Sequence, residues 1–264
     1  MQLLINPGVL ENSYLPRLLP YRENESQYIA ECIKPLFMKR NGKNILLTGS
    51  PGIGKTACVR FIFRKLIEEP PGNYATMLVN CWKYDNSNRI IFYIAEQIGI
   101  RTSERYPEEL ADLIIRKLNN NYDGVIIAFD EIDKLKDWNF IYRILEDVKY
   151  KSIILITNTT EPIAKLDARL LSRLLLERVH FRNYNFEEIR GILRERESYA
   201  FKPNSFEYDA FESIIKKTFE LGDLRVGLFL MRSAAEIAEA RGSEKIEVQD
   251  VEKAAGKLEF IKPE

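Results

Sequence analysis

The run Gly49-Ser50-Pro51-Gly52-Ile53-Gly54-Lys55-Thr56 has the spacing G-x-x-x-x-G-K-[ST]. Glycines at 49, 52 and 54 let the backbone curl so that its N–H groups point inward, which suits phosphate oxygens. A helix that starts here, running out through Ala57, adds the partial positive charge of its N-terminus. In this pattern Lys55 reaches the β- and γ-phosphates of a nucleotide, and the Thr56 hydroxyl holds Mg²⁺. The whole stretch from Gly49 to Ala57 is therefore expected to bind nucleotide.

Two acids, Asp130 and Glu131, follow the apolar run Val125 to Phe129. Ligands of open α/β sheets sit beyond the carboxyl ends of the strands. Asp130 is placed to hold the Mg²⁺ shell and Glu131 to polarise an attacking water as general base. Asp133 reads as a surface residue or a helix cap and is given no role. Asn158 ends the next apolar run, where an amide can orient the same water or touch the γ-phosphate. Arg169 and Arg173 are four apart, on one helical face. Such a helix is either simply solvated or presents arginine to a neighbouring subunit's γ-phosphate. Arg225, in Gly222-Asp223-Leu224-Arg225, stands at a helix start against the helix dipole, which points to an anionic partner such as phosphate.

A layered α/β fold is needed to hold these groups. Asn44 to Thr48, Thr76 to Cys81, Val125 to Phe129 and Ser152 to Thr157 read as strands. They are continuous apolar runs alternating with helical segments, so a parallel sheet covered on both faces is expected. Helices are expected at Tyr21 to Lys39, Ala57 to Glu69, Asn88 to Ile98, Pro107 to Asn119 and Trp138 to Val148. The face of the second carries Val59, Ile62, Phe63, Leu66 and Ile67. Residues 1–20, with Pro7, Pro16 and Pro20, read as irregular. After Arg182 only helical periodicity remains, in 186–199, 206–219, 224–240 and 248–258. The chain thus divides into a core, 12–182, and a C-terminal all-helical domain, 183–260.

Charge and cysteine usage exclude several classes. Lys+Arg and Asp+Glu are both 39, so no global field draws in nucleic acid. Cys32, Cys58 and Cys81 are scattered without CxxC, and His180 is the one histidine, so neither a zinc site nor a disulfide framework is expected. His180, in Val179-His180-Phe181, reads as a strand residue. No signal peptide and no membrane span is evident, and a reducing cytoplasm is expected.

Together the phosphate loop, the Asp-Glu strand end, Asn158, the arginine helix and Gly-Asp-Leu-Arg resemble an AAA+ ATPase. More narrowly, the chain is similar to the origin-recognition/cell-division-control replication initiators of archaea and eukaryotes. That likeness rests on Tyr21-Arg22-Glu23-Asn24-Glu25, Val79-Asn80-Cys81 and the helix 88–98. It rests also on Leu166-Asp167-Ala168-Arg169 with Ser172-Arg173, and on Tyr184 with Arg196. It covers residues 12 to 258. It implies an AAA+ P-loop core with a helical lid, Pro20, Tyr21 and Arg22 on the adenine side, and Asn158 and Arg225 as the two sensors. Arg173 resembles the arginine finger with Arg169 beside it, and Tyr184 and Arg196 look like nucleotide contacts from the lid. Segment 82–105 resembles the initiators' helical insertion, which approaches DNA. Lys83, Arg89, Arg101 and Arg105 lie there among Trp82, Tyr84, Phe92 and Tyr93. The family's C-terminal winged helix has no counterpart before Glu264, so origin recognition by these residues alone is not expected.

The expected protein is a switch ATPase that binds ATP·Mg²⁺ between core and lid, hydrolyses it slowly and acts in DNA replication initiation or helicase loading. Its expected partners are other AAA+ subunits (self or paralogue), weakly bound DNA through 82–105, and a replicative helicase or other replication protein. The alternatives are a helper or clamp-loader-like ATPase of a mobile element, and a non-hydrolysing scaffold that holds ADP.

Overall fold

The computed structural model describes residues 2–102, 106–164 and 166–258. They fall into two compact units. The first, residues 22–49 and 54–181, is built on a sheet. Its strands are β1 (Ile45–Thr48), β2 (Tyr74–Asn80), β3 (Gly124–Asp130), β4 (Lys151–Ile156) and β5 (Glu177–His180). They lie in the order β2-β3-β4-β1-β5, and every neighbouring pair is parallel. Parallel strands need crossovers. These are supplied by α2 (Lys55–Glu68), α3 (Ser87–Gln97), α4 (Pro107–Asn121), α5 (Asn139–Asp147), α6 (Glu161–Ala164) and α7 (Ala168–Leu174), while α1 (Glu23–Ile33) precedes β1.

One core cluster joins Val125, Ile127 and Phe129 of β3 and Ile153 and Leu155 of β4 to α3, α4, α5 and α7. The alternate residues Ile126, Ala128, Ile154 and Ile156 point the other way and are just as buried. Both faces are therefore covered, which is why these strands read as unbroken apolar runs. β5 shows the converse. It is an edge strand in which Val179 alone is buried, so no apolar run announces it. His180 is indeed in a strand, exposed, with Nδ1 3.2 Å from the Thr48 hydroxyl.

Two local expectations change. The helix expected to run from Tyr21 to Lys39 spans only Glu23–Ile33, and Pro35 converts the rest into a 3₁₀ turn, Lys34–Met38. Ile67, expected on the buried face of α2, is 69% exposed. The buried stripe is Cys58, Val59, Ile62 and Phe63, and Ile67 lies in the last turn beyond it.

The second unit comprises residues up to 21, residues 50–53 and those from 182 onward. Its helices are α8 (Phe186–Ala200), α9 (Tyr208–Leu221), α10 (Leu224–Ala240) and α11 (Val248–Gly256). The central α10 packs on the other three and buries Leu228, Leu230, Met231, Ala234, Ala235 and Ala238. Capping boxes start α8 (Asn185 with Glu188) and α11 (Glu247 with Asp250). Gly222 ends α9 at φ +65°, a backbone that glycine adopts without strain.

The N-terminal residues are part of this unit, a difference from the expected core starting at residue 12. The Leu3 and Leu4 N–H groups donate to Glu239 Oε1 at 2.5 and 2.9 Å, and Ile5 and Asn6 donate to the Ala200 carbonyl. Leu3, Leu4, Val9 and Leu10 are buried. Residues 259 and 260, placed in the helical domain by the sequence, lie outside the described residues.

Candidate active site

β1 ends at Thr48, and the chain turns through the loop into α2 with Gly49 at φ +140°, Gly52 at +71° and Gly54 at +93°. These values place the glycines where side chains are disfavoured. Gly54 is the N-cap of α2 and has no side chain to fill the space before the helix, which suits an anion there. Lys55 is almost enclosed, 6% exposed. Its ammonium donates to the Gly49 carbonyl at 2.6 Å and to Asn158 Oδ1 at 2.8 Å. The Thr56 hydroxyl donates to Asp130 Oδ2 at 2.8 Å. Because β4 lies between β1 and β3, the carboxyl ends of three strands bring the cation, hydroxyl, carboxylate and amide together.

The two acids differ in surroundings. Burial pushes the Asp130 carboxyl up, against the Thr56 hydroxyl, the Glu131 N–H and the charges of Lys55 and Arg60, which pull it down. Burial also raises Glu131, helped by the negative Asp130 and Asp133 and opposed by a hydrogen bond from Asn80 and by Lys134. Glu131 has φ +53°, a left-handed backbone that is sparse for a residue with a side chain and is found at functional sites. Asn80 had no functional role in the sequence reading. The register that pairs it with Asp130 sets its amide beside Glu131. Asp133 accepts from the Thr157 hydroxyl at 3.0 Å and so ties the ends of β3 and β4 together. Thr56 and Asp130 together offer hard oxygen donors, the set that Mg²⁺ prefers, and the 2.8 Å approach shows that both reach one point.

The arginines are placed differently. Arg173 donates to both carboxylate oxygens of Glu146 and lies over the Tyr142 ring, 5.2 Å from its centroid. Arg169 is exposed one helical turn earlier, after the capping Asp167. Arg22 is fully enclosed, bonded to Glu25 at 2.8 Å and 5.2 Å over Phe181. In the helical unit, Arg225 pairs with Asp223. Arg196 donates to the Val9 carbonyl at 3.3 Å and stacks 4.5 Å over Tyr14, where burial pulls its pKa down. Tyr21, at φ +64°, lays its hydroxyl against α8 at Gly191, where a methyl group would collide with it. Tyr184 is buried.

In segment 82–105, Trp82 is 69% exposed with Lys134 over its ring, and Lys83 lies over Tyr84, which stacks on Tyr93 at 4.3 Å. Asp85 pairs with both Arg89 and Lys136. Arg101 is exposed, and Arg105 lies outside the described residues.

This geometry has known counterparts. Residues 38–161 match the family model of the AAA domain, and residues 190–256 match that of the Cdc6 AAA+ ATPase-type lid domain. The chain is 31% identical over 259 residues to ORC1-type DNA replication protein 2 of Methanosarcina acetivorans, covering 94% of this chain and 69% of that protein. The chain belongs to the family of ORC1-type DNA replication proteins. It is likewise 31% identical to ORC1-type DNA replication protein 1 of Sulfolobus acidocaldarius, over 93% of this chain. It spans 65% of that relative's length. The solved structure of the Aeropyrum pernix ORC1 protein in complex with DNA matches this ORC1-type chain with a TM-score of 0.88 at 29% identity, over 98% of this chain and 70% of that one. The AAA+ core and helical lid expected from the sequence are thus the fold of this ORC1-type chain. Among the described residues no helix is long and apolar enough to cross a membrane.

Proposed function

We propose that this chain binds ATP with Mg²⁺ and hydrolyses it slowly, as a switch in the initiation of DNA replication. The observation that carries this reading is the convergence of Lys55, Thr56, Asp130, Glu131 and Asn158 at the carboxyl ends of β1, β3 and β4. Lys55 meets the β- and γ-phosphates. Thr56 and Asp130 hold Mg²⁺, which when bound neutralises phosphate charge. Glu131 accepts a proton from the attacking water as the water oxygen bonds to the γ-phosphorus, and the bond to the bridging oxygen breaks to release ADP. Asn158 holds Lys55 and orients that water. Arg173, with Arg169 beside it, acts on the nucleotide of a neighbouring AAA+ subunit, so turnover stays slow until chains assemble. Tyr21, Arg22, Tyr184, Arg196 and Arg225 are further nucleotide contacts. DNA and a replicative helicase or other replication protein are the proposed partners.

The test pairs two variants. Lys55→Ala deletes a charge that meets phosphate, so ATP affinity should fall roughly 10- to 100-fold. Glu131→Gln should bind ATP like wild type and lose turnover by roughly 10²- to 10⁴-fold. Wild-type turnover in both variants would refute the assignment. Absence of turnover in the wild type, with tightly held ADP, would favour the scaffold reading. The same preparations, titrated by anisotropy with duplexes of unrelated sequence, should bind at about 10⁻⁴ to 10⁻⁶ M and weaken with salt. A nanomolar, sequence-selective complex would refute the expectation that these residues alone do not supply sequence specificity.

A further inference from the structure

Gly52 of the phosphate loop clusters with the helical unit and abuts one of its carboxylates. A methyl group built on Gly52 would coincide with the carboxylate of Asp223. Asp223 is also the N-cap of α10, with Oδ1 accepting the Arg225 N–H at 2.9 Å. The same group grips the Arg225 side chain. Nε stands 3.0 Å from each oxygen, and Nη2 stands 2.5 Å from Oδ2. One carboxylate thus abuts the loop, caps a helix start and holds a guanidinium. A negative group pressed on a loop built for anions is electrostatically contrary, and the two-point guanidinium contact offsets that charge.

Resting on the reading of Arg225 as a phosphate contact, we propose that Asp223 is an internal counter-ion from which a nucleotide's γ-phosphate must take Arg225. A γ-phosphate carries more negative charge than a carboxylate and offers three acceptor oxygens, so it competes successfully for a guanidinium. A diphosphate has no group at the γ position and leaves the Asp223–Arg225 pair in place. Asp223 therefore lowers triphosphate affinity while leaving diphosphate affinity nearly untouched. It is a positioning residue that sets the preference between the two nucleotide states. An ordinary exposed ion pair between neighbours on one helix would contribute little either way. The seat against Gly52 is what ties this one to the phosphate loop.

Asp223→Asn tests this cleanly, because asparagine caps a helix as well as aspartate does but carries no charge. The measurement is calorimetric titration of the 264-residue chain with a non-hydrolysable ATP analogue and with ADP. Wild type, Asp223→Asn, Arg225→Gln and the double variant are compared. Asp223→Asn should bind the triphosphate about two- to fivefold tighter and shift ADP by less than about twofold. The double variant should gain nothing over Arg225→Gln. Asp223→Ser, another uncharged cap, should reproduce the triphosphate-selective gain, which separates it from damage to the fold. An unchanged or weakened triphosphate affinity in both Asp223 variants, or a gain that persists without Arg225, would overturn the proposal. Wild-type triphosphate affinity in Arg225→Gln would instead remove Arg225 from the phosphate site.

Discussion

At the carboxyl ends of β1, β3 and β4 the polar groups are bonded to one another, Lys55 to Asn158 and Thr56 to Asp130. On α7 and α10 the arginines are bonded instead to carboxylates of their own surroundings, Arg173 to Glu146 and Arg225 to Asp223. The first set is held by backbone. Each residue stands at a strand end or a helix start, and Lys55 is nearly enclosed. The second set stands on exposed helix faces, where long side chains keep their freedom and take the nearest counter-charge. Groups of the first kind are preorganised to bind phosphate with little rearrangement. Groups of the second kind must exchange partners before they act, so they respond to assembly and to nucleotide state.

The largest effect that would sharpen this contrast is expected from Arg173→Ala. ATP binding should be kept, while turnover that rises with protein concentration should fall by roughly 10³-fold or more, the usual worth of an arginine finger. Mixing this variant with Glu131→Gln should restore part of the activity, since each chain lends the group the other lacks. Undiminished concentration-dependent turnover in Arg173→Ala alone would rule the role out.

Asn158→Ala is expected to act within a single chain. It removes the acceptor of Lys55 and the amide facing the water, so turnover should fall about 10²-fold while ATP affinity changes little. Steady-state kinetics at several protein concentrations separate the two cases. A loss that vanishes on dilution would place Asn158 with the exchanging groups and break the comparison.

The smallest effect belongs to Glu146→Gln. Freed from its in-chain carboxylate, Arg173 should engage a neighbour more readily, and the protein concentration giving half-maximal turnover should drop about two- to fivefold. A rise in that concentration would mean that Glu146 holds the arginine in its working pose.

The two kinds of group were unequally legible in the sequence. The loop could be read because three glycines, a lysine and a threonine at set spacing have few other uses, and because an apolar run precedes them. The Asp-Glu pair stood out for the same reason. β5 was illegible because a short edge strand with one buried side has no periodicity to show. The N-terminal residues were read as irregular because their partners, Glu239 and Ala200, are some two hundred positions away.

Local spacing by itself thus determined the phosphate loop, the acidic strand end, the amide at the next strand end and the change from an α/β core to a helical lid. Each depends on residues within one or two turns of chain or along one strand. The tertiary structure decided which of these groups meet. The strand order brings Asn158 to Lys55, and the β2–β3 register sets Asn80 beside Glu131. Packing seats Asp223 on Gly52 and gives Arg173 its carboxylate, Glu146. Such pairings follow from neighbours in space, and a chain's local pattern carries no record of which strand or helix will lie beside it.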